Sequence, residues 1–227
     1  MRFDPTSCLQ VIHAMRTITN ALALSTLLLI ALPVLAEEAQ EKPKAKSLFD
    51  GKTLEHFDVP QFGGEGAVEV KDGVITMGQG AMLTGITYKN ADFPRSNYEL
   101  TWEARRTMGI DFFAAVTFPV KDKYCSFVPG GWGGAVVGLS NVDGADASEN
   151  ETTTYIAFKD EQWYQFKLRV TDKKIEAWID GKQVIDVTLE GKKISTRSEV
   201  DLSEPMGIVA WQSAGEIRKI ELRVLGE

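Results

Sequence analysis

The sequence predicts an all-β fold, a β-sandwich or jelly roll, and three observations carry this prediction. Short runs of alternating apolar and polar residues recur along the chain and are clearest over residues 162–189. Polar turns separate these runs, as at Asp180-Gly181, where glycine tolerates the positive φ of a tight hairpin. No stretch sustains a convincing helical period. Many short strands with regular turn signals are typical of sandwiches and jelly rolls.

The segment 162–189 predicts three consecutive antiparallel strands. Its apolar positions alternate with polar ones, which is the period of a half-buried strand. The inward positions are Tyr164, Phe166, Leu168 and Val170, then Ile175, Ala177 and Ile179, then Ile185, Val187 and Leu189.

Other strands are predicted in order along the chain. They flank the turn at 71–73 and then cover 83–88, 98–105, 112–120, 134–139, 207–212 and 217–225. The run 112–120 is almost continuously apolar, which indicates burial on both faces. A turn of helix is predicted within 198–203, and a polar, acidic loop over 141–153.

The N-terminal residues are predicted to be a signal peptide over residues 1–36. An apolar run over 21–35 follows Arg16 and ends in small residues, and it is short for a membrane span. Residues 37–46 are charged and predict a disordered tether, which leaves 47–227 as one domain. We therefore expect a secreted or periplasmic protein with no membrane span after cleavage of the signal.

Composition excludes several classes of function. The formal net charge of −7 disfavours a nucleic-acid partner. Cys8 falls in the predicted leader, so Cys125 stands alone and no intrachain disulfide is expected. His13 also falls there, and a single His56 excludes zinc sites built on several histidines. A Ser-His-Asp triad would have to use His56.

Four motifs follow one another from Ser47 to the C-terminus: SLFDGKTLEHF, VKDGVI, YELTWEARR and QWYQFKLRV…IEAWIDGKQVID. Together they resemble the 3-keto-disaccharide hydrolase domain family, which is similar to concanavalin A-like lectins, glucanases and laminin G domains. The resemblance implies a concanavalin A-like jelly-roll β-sandwich of two antiparallel sheets. The chain departs from the family pattern at 108–112 and at 134–143, where only Asp143 matches the family's acidic strand.

The resemblance also implies a reaction, the cleavage of 3-keto-glycosides. An oxidised C3 acidifies the neighbouring C–H, a carboxylate removes that proton, the leaving sugar is expelled and water adds. We expect Glu103 or Asp111 as the base and Arg105 as the stabiliser of the enolate. Glu103 and Arg105 lie two residues apart on one strand, so both side chains point to the same face. The alternative to a catalytic role is a cross-strand ion pair on a solvated face. The alternative for Asp111 is a carboxylate that caps a turn.

Substrate binding is predicted at Trp132, Asn141, Asp143 and Gln212. Trp132 stands among four glycines, where an indole face can stack on a sugar ring, although the same pattern fits a loop whose tryptophan is tucked into the core. Trp211, beside Gln212, is expected in the core. Oxygen ligands over 141–151 could hold calcium, although such loops are usually only solvated. No metal residue is assigned, and no cofactor is established.

Two other interpretations remain open. One is a non-catalytic carbohydrate-binding module of laminin G type that uses Trp132 and the acidic loop. The other is a structural domain with no small ligand. Convergence of Glu103, Arg105 and Asp111 in one groove would favour the enzyme, and their dispersal over the surface would favour binding or structure.

Overall fold

The computed structural model describes residues 44–226. The predicted signal peptide and residues 37–43 of the predicted tether lie outside the described residues. Lys46, at the end of the predicted tether, already pairs with Leu222 in a sheet.

Fifteen strands lie within residues 44–226. In order they are β1 (Lys46–Ser47), β2 (Phe57–Asp58), β3 (Val68–Lys71), β4 (Val74–Met77), β5 (Leu83–Tyr88), β6 (Tyr98–Met108), β7 (Ala115–Val120), β8 (Lys123–Gly130), β9 (Val136–Ser140), β10 (Thr154–Tyr155), β11 (Tyr164–Val170), β12 (Lys174–Ile179), β13 (Lys182–Thr188), β14 (Gly207–Trp211) and β15 (Ala214–Val224). A single turn covers Gly131–Gly134, and a 3₁₀ helix covers Ser198–Ser203.

The strands form two antiparallel sheets, as predicted. Sheet A has the order β13-β12-β11-β6-β15-β4-β3, with β1 paired to β15. Sheet B has the order β10-β9-β8-β7-β14-β5-β2. The two sheets bury their facing sides in one apolar core, which gives a jelly-roll β-sandwich and confirms the predicted fold class.

The two-residue alternation of the strands determines which side chains enter the core. On β6, Tyr98, Leu100, Trp102 and Ala104 are buried, and Trp102 stacks on Phe166 of β11 with ring centroids 5.2 Å apart. The intervening residues of β6 point to the outer face of sheet A. Alternation along the strand therefore separates core from surface one residue at a time.

Most predicted elements are confirmed, some to the residue. The predicted 83–88 strand and the 198–203 helix match β5 and the 3₁₀ helix, and the meander 162–189 forms β11, β12 and β13. The predicted run 112–120 contains β7, all six residues of which are buried. Strand β8 was missed. No helix among the described residues is long and apolar enough to cross a membrane.

Candidate active site

A pocket of about 240 Å³ lies on the outer face of sheet B. Its floor consists of residues that alternate with core residues on β5, β7, β8 and β14: Leu83, Ala115, Thr117, Ser126, Val128 and Val209. Asp111, Trp132, Trp211 and Arg197 surround this floor with polar and aromatic groups. Pockets that combine an apolar surface with a few convergent polar groups are the usual form of small-molecule sites.

Asp111 is held at the pocket by the segment that passes from β6 to β7. Gly109 allows this crossing, because a Cβ there would lie 2.5 Å from Ser213 Oγ and its φ of 95° suits glycine. The Asp111 backbone N–H donates to Ser213 Oγ at 3.0 Å. Its carboxylate accepts from Phe112 N at 2.8 Å and from Gly133 N at 3.1 Å. These bonds orient the carboxylate and couple it to the loop that carries Trp132.

The glycine-rich loop places Trp132 at the rim. Gly130, Trp132, Gly133 and Gly134 all have positive φ, from 49° to 105°, a run that only glycine sustains without strain. Trp132, at φ 49°, is the only residue of this loop other than glycine with a positive φ, and its side chain is 43% exposed. An exposed indole beside a pocket can serve as a platform for a sugar ring.

Arg197 and Glu199 also line the pocket. Arg197 Nη2 donates to Glu199 Oε1 at 2.7 Å, and Arg197 Nη1 lies 3.2 Å from Asp146 Oδ2. The hydrogen bond from Arg197 holds the pKa of Glu199 below its ordinary value, and the same bond raises the pKa of Arg197. Both groups therefore stay charged at neutral pH, and this side of the pocket carries an ion pair whose guanidinium also contacts Asp146.

Thr117 and Ser126 place a pair of hydroxyls in the floor. Thr117 Oγ1 and Ser126 Oγ lie 2.9 Å apart on the paired strands β7 and β8, and both side chains are buried. Each hydroxyl has one hydrogen, and their mutual bond uses one of the two. The other hydrogen can be donated to a ligand oxygen in the pocket.

Glu103 and Arg105 do not line this pocket. They share the outer face of sheet A, opposite Trp102 and Ala104, as their spacing predicts. Glu103 accepts bonds from Arg218 Nε at 2.7 Å and Lys219 Nζ at 2.8 Å. The left-handed Lys219, φ 52°, lies at an irregularity in the β15–β6 pairing, and this allows neighbouring residues to reach the same carboxylate.

Arg105 belongs to the same charged surface. Its Nε donates to Glu216 Oε2 at 2.6 Å, and its guanidinium lies 5.0 Å from the ring centre of Trp163. The structure thus brings Asp111 to the pocket and keeps Glu103 and Arg105 on the other sheet, where cross-strand ion pairs occupy both. Their predicted catalytic role stays a prediction.

Of the four predicted binding residues, only Trp132 lines the pocket. Asn141 Nδ2 donates to Thr196 O at 3.2 Å, so it fastens the segment that carries Arg197. Asp143 accepts from Lys193 N at 2.9 Å and Lys192 Nζ at 3.1 Å, which lowers its pKa below the ordinary value. Gln212 Nε2 donates to Ala81 O at 3.0 Å.

Within residues 44–226 no cluster of three or more histidine, cysteine, aspartate or glutamate side chains is arranged to hold a metal ion. In the acidic loop, Asp146 Oδ1 accepts from Ser148 while Asp146 Oδ2 pairs with Arg197. Asp143 is occupied by the lysines of the facing segment. The carboxylate oxygens of Asp143 and Asp146 thus accept bonds from the segment that carries Arg197, and these bonds hold the acidic loop against that segment.

A protein-family model matches most of the chain. The model, described as a 3-keto-alpha-glucoside-1,2-lyase-like domain, matches residues 44–223. The chain belongs to this family. The recognised motifs and the matched region cover the same domain, so the predicted family is confirmed. No curated protein matched the chain.

Solved structures share the fold of this lyase-like domain at low identity. The exoplasmic/lumenal domain of VIP36, in a Ca2+/Man3GlcNAc-bound form, is 12% identical with a TM-score of 0.54, covering 81% of this chain and 91% of that chain. Domain 4 of AbnA, an extracellular arabinanase from Geobacillus stearothermophilus in complex with arabinotriose, is 12% identical with a TM-score of 0.52, covering 81% and 94%. The Crh5 transglycosylase in complex with NAG is 14% identical with a TM-score of 0.52, covering 82% and 85%.

Several pocket residues of the lyase-like domain were not found from the sequence. Arg197 and Glu199 lie in a polar segment whose sequence gives no sign of a site. Trp211 was expected in the core, but it lines the pocket and packs near Phe112. The pairing of Thr117 with another polar residue could have been predicted from the sequence. A hydroxyl in a run that is buried on both faces requires a polar partner, and Ser126 supplies it.

Proposed function

We propose that this chain is a secreted or periplasmic carbohydrate-active enzyme that cleaves 3-keto-glycosides in the pocket on sheet B. One observation carries the proposal. A carboxylate (Asp111), a cation (Arg197) and an exposed indole (Trp132) surround one pocket of about 240 Å³, and a hydroxyl pair lies in its floor. The family match supports the same chemistry.

In the proposed reaction Asp111 is the base. It removes the proton from C2, and the C–H electron pair forms a C2=C3 bond while the C3 carbonyl becomes an enolate. The enolate then reforms the carbonyl, a C1=C2 bond forms and the C1–O bond breaks. The leaving oxygen takes the proton from the Asp111 carboxylic acid. Water can afterwards add across C1=C2 to give the free 3-keto sugar.

Two groups are suited to stabilise the enolate oxygen. Arg197 supplies guanidinium N–H donors beside its pairing with Glu199 and Asp146, and the Thr117–Ser126 pair supplies one free O–H in a buried setting. Such preorganised donors act strongly where water is excluded. Trp132 and Trp211 supply apolar faces for the C–H surface of the ring.

The proposal assigns a supporting role to Asn141 and Asp143. Asn141 holds Thr196, the residue before Arg197, and Asp143 holds Lys193 of the same segment. Glu103 and Arg105 lie outside the pocket, so the proposal gives the base role to Asp111 alone.

The experiment measures turnover of a 3-keto-disaccharide by the Asp111→Asn variant. Loss of a general base lowers kcat/KM by about 10²–10⁴-fold, and we expect a loss in this range. Glu103→Gln is the matched control, since it removes a carboxylate charge from the other sheet. Equal turnover by Asp111→Asn and the parent protein, or a comparable loss in Glu103→Gln, contradicts the assignment. Circular dichroism of each variant checks that the fold is retained.

A second candidate function is non-catalytic carbohydrate binding. One observation favours it: both Asp111 oxygens already accept backbone N–H groups, as expected of a structural carboxylate. Under this alternative the protein binds an unoxidised disaccharide, Trp132→Ala weakens the binding, and no oxidised disaccharide changes mass. Calorimetry together with mass spectrometry separates the two functions.

A further inference from the structure

Three buried hydroxyls lie side by side across the floor of the pocket. Thr117 on β7 is paired with Ser126 on β8, and Ser126 is paired with Ser140 on β9. All three residues line the pocket, and each is at most 4% exposed. Residues directly opposite each other on neighbouring strands point to the same face, with Cβ atoms about 4.5–5.5 Å apart. The three side chains therefore form a hydroxyl row.

The bonds of Ser140 leave its oxygen able only to accept. Asn141 Nδ2 donates to Thr196 O at 3.2 Å, so Asn141 Oδ1 is the atom that lies 2.9 Å from Ser140 Oγ. An amide oxygen cannot donate, so Ser140 supplies the hydrogen of this bond. Ser140 has no second hydrogen, and its Oγ keeps lone-pair capacity for a donor on a ligand.

The Thr117–Ser126 pair has the opposite character. Its mutual bond of 2.9 Å uses one hydrogen and leaves the other free. Within residues 44–226 this is the only side-chain hydrogen bond that either hydroxyl makes. The hydroxyl row therefore presents a donor on β7 and β8 and an acceptor on β9. A ligand edge that matches this order carries an acceptor beside a donor, as a carbonyl next to a hydroxyl does.

Asp111 and the hydroxyl row lie at different positions along β8. A Cβ on Gly131 would lie 3.0 Å from Val128 Cγ1 and 3.8 Å from Asp111 Oδ1, so Asp111 lies near the end of β8. Ser126 lies two residues before Val128, a step of about 6.6 Å. A ring with its C2–H at Asp111 and its C3 carbonyl at the row leaves the C4 hydroxyl, on the other side of the carbonyl, for Ser140.

We propose that Ser140 accepts a hydrogen bond from the C4 hydroxyl of the sugar ring while the Thr117–Ser126 pair donates to the C3 carbonyl, and that the site thereby selects an equatorial C4 hydroxyl. An equatorial substituent beside a ring carbonyl lies nearly in the carbonyl plane, so both oxygens reach one edge of the ring. An axial hydroxyl points away from that edge and leaves Ser140 without its donor. This inference rests on the proposed function and adds the ring configuration that the same site accepts.

The test compares three substrates with the same leaving group: methyl 3-keto-glucoside, its 4-deoxy analogue and methyl 3-keto-galactoside, whose C4 hydroxyl is axial. We expect kcat/KM of the parent protein to be about tenfold lower for the second and third compounds, since loss of one buried hydrogen bond is worth about this factor. Equal kcat/KM for the glucoside and the 4-deoxy compound, or for the glucoside and the galactoside, overturns the inference without need of any variant.

Ser140→Ala separates direct contact from an effect through neighbouring residues. We expect this variant to turn over the 3-keto-glucoside about tenfold less efficiently than the parent and to treat the 4-deoxy analogue equally. If Ser140 acted only by holding Asn141, the variant would lower kcat/KM for both compounds alike and keep their tenfold ratio. That result overturns the inference.

Ser203→Ala is the matched control. Ser203 is also fully buried, lies outside the pocket lining, and its Oγ has no hydrogen-bond partner among the described residues. We expect this variant to keep the tenfold ratio between the 3-keto-glucoside and the 4-deoxy analogue. Loss of the ratio in Ser203→Ala as well as in Ser140→Ala would contradict the assignment to Ser140.

A binding measurement distinguishes failure of this inference from failure of the proposed reaction. If the parent protein turns over none of the three compounds, calorimetry of the same compounds decides the inference. Binding of the glucoside about tenfold more tightly than the 4-deoxy compound then supports the role of Ser140 and refutes the proposed reaction. Equal binding, or no binding, overturns both. Turnover without discrimination at C4 supports the reaction and overturns the role of Ser140.

Discussion

Glu99 is held between two arginines on the outer face of sheet A. Its side chain is 7% exposed; Oε1 accepts from Arg169 Nη2 at 2.7 Å and Oε2 from Arg223 Nη1 at 2.9 Å. Burial alone would raise the pKa of Glu99, but the hydrogen bond and charge of Arg169 and the charge of Arg223 lower it below its ordinary value. The ionised form is therefore the stabilising one.

This carboxylate predicts a pH dependence of stability. A folded-state pKa below the unfolded value gives a contribution that is complete above the unfolded value, near 4.5, and is lost as pH falls through the folded value. We expect Glu99→Gln to lower the free energy of unfolding by about 2 kcal/mol at pH 7, because two arginines lose a charged partner. The difference should shrink at pH 3.

Urea unfolding at the two pH values measures this effect. Asp186→Asn is the control, since Asp186 pairs with Lys174 at 2.7 Å between exposed side chains, and such pairs contribute little to stability. A Glu99→Gln deficit that stays constant from pH 7 to pH 3 would show that the carboxylate charge is not what stabilises this site.

The turn at Gly131–Gly134 carries Trp132, and its Gly133 N–H binds the carboxylate of Asp111. Gly134 has φ 105°, and a Cβ there would lie 2.7 Å from Ile110 O. We expect Gly134→Ala to destabilise the fold by about 2–3 kcal/mol, from left-handed strain together with the backbone clash. It should also lower ligand affinity, because the loop that carries Trp132 must shift.

Gly144→Ala provides the matched comparison. Gly144 also has a positive φ, 84°, but a Cβ there meets nothing within 4 Å. It should cost only the left-handed strain, about 1 kcal/mol, and leave ligand binding unchanged. Thermal unfolding and ligand titration of both variants test the distinction, and identical behaviour would mean that the contact with Ile110 is unimportant.

Elements differ in how well the sequence predicts them. The β11–β13 meander was predictable because alternation, turn residues and strand length all indicate the same structure. Strand β8 was missed because Tyr124, Cys125, Ser126 and Pro129 do not alternate clearly, and its burial depends on neighbours that are distant in the chain. The composition of the glycine-rich loop predicted a ligand loop, which stays a prediction, and gave no sign of its contact with Asp111.

The whole molecule explains why the site was harder to predict than the fold. Local spacing correctly puts Glu103 and Arg105 on the face opposite Trp102, but it cannot say which sheet brings Asp111 and Trp132 together at a pocket. Arg197 reaches the pocket only through the facing loop, where Asn141 and Asp146 hold its segment. Such contacts between distant parts of the chain leave no periodic signal.

The apolar core between the two sheets also predicts the behaviour of the thiol within it. Cys125 lies fully buried on β8, and burial raises its pKa to about 12. Little thiolate exists at neutral pH, and reagents cannot reach it in the folded state. We expect thiol reagents to label Cys125 only after denaturation, and reducing agents to leave the melting temperature unchanged. Rapid labelling of the folded protein would contradict the burial of β8.

Strand β7 separates two environments by single-residue steps: Val116 and Phe118 enter the core, while Ala115 and Thr117 face the pocket. A deletion of one residue in the 121–122 turn that shifted β7 against β8 would turn Thr117 inward and Val116 outward. Length changes in this hairpin would therefore disrupt the fold and the site together. We expect this pocket to tolerate side-chain replacements on these strands, and to tolerate insertions and deletions only in the loops around them.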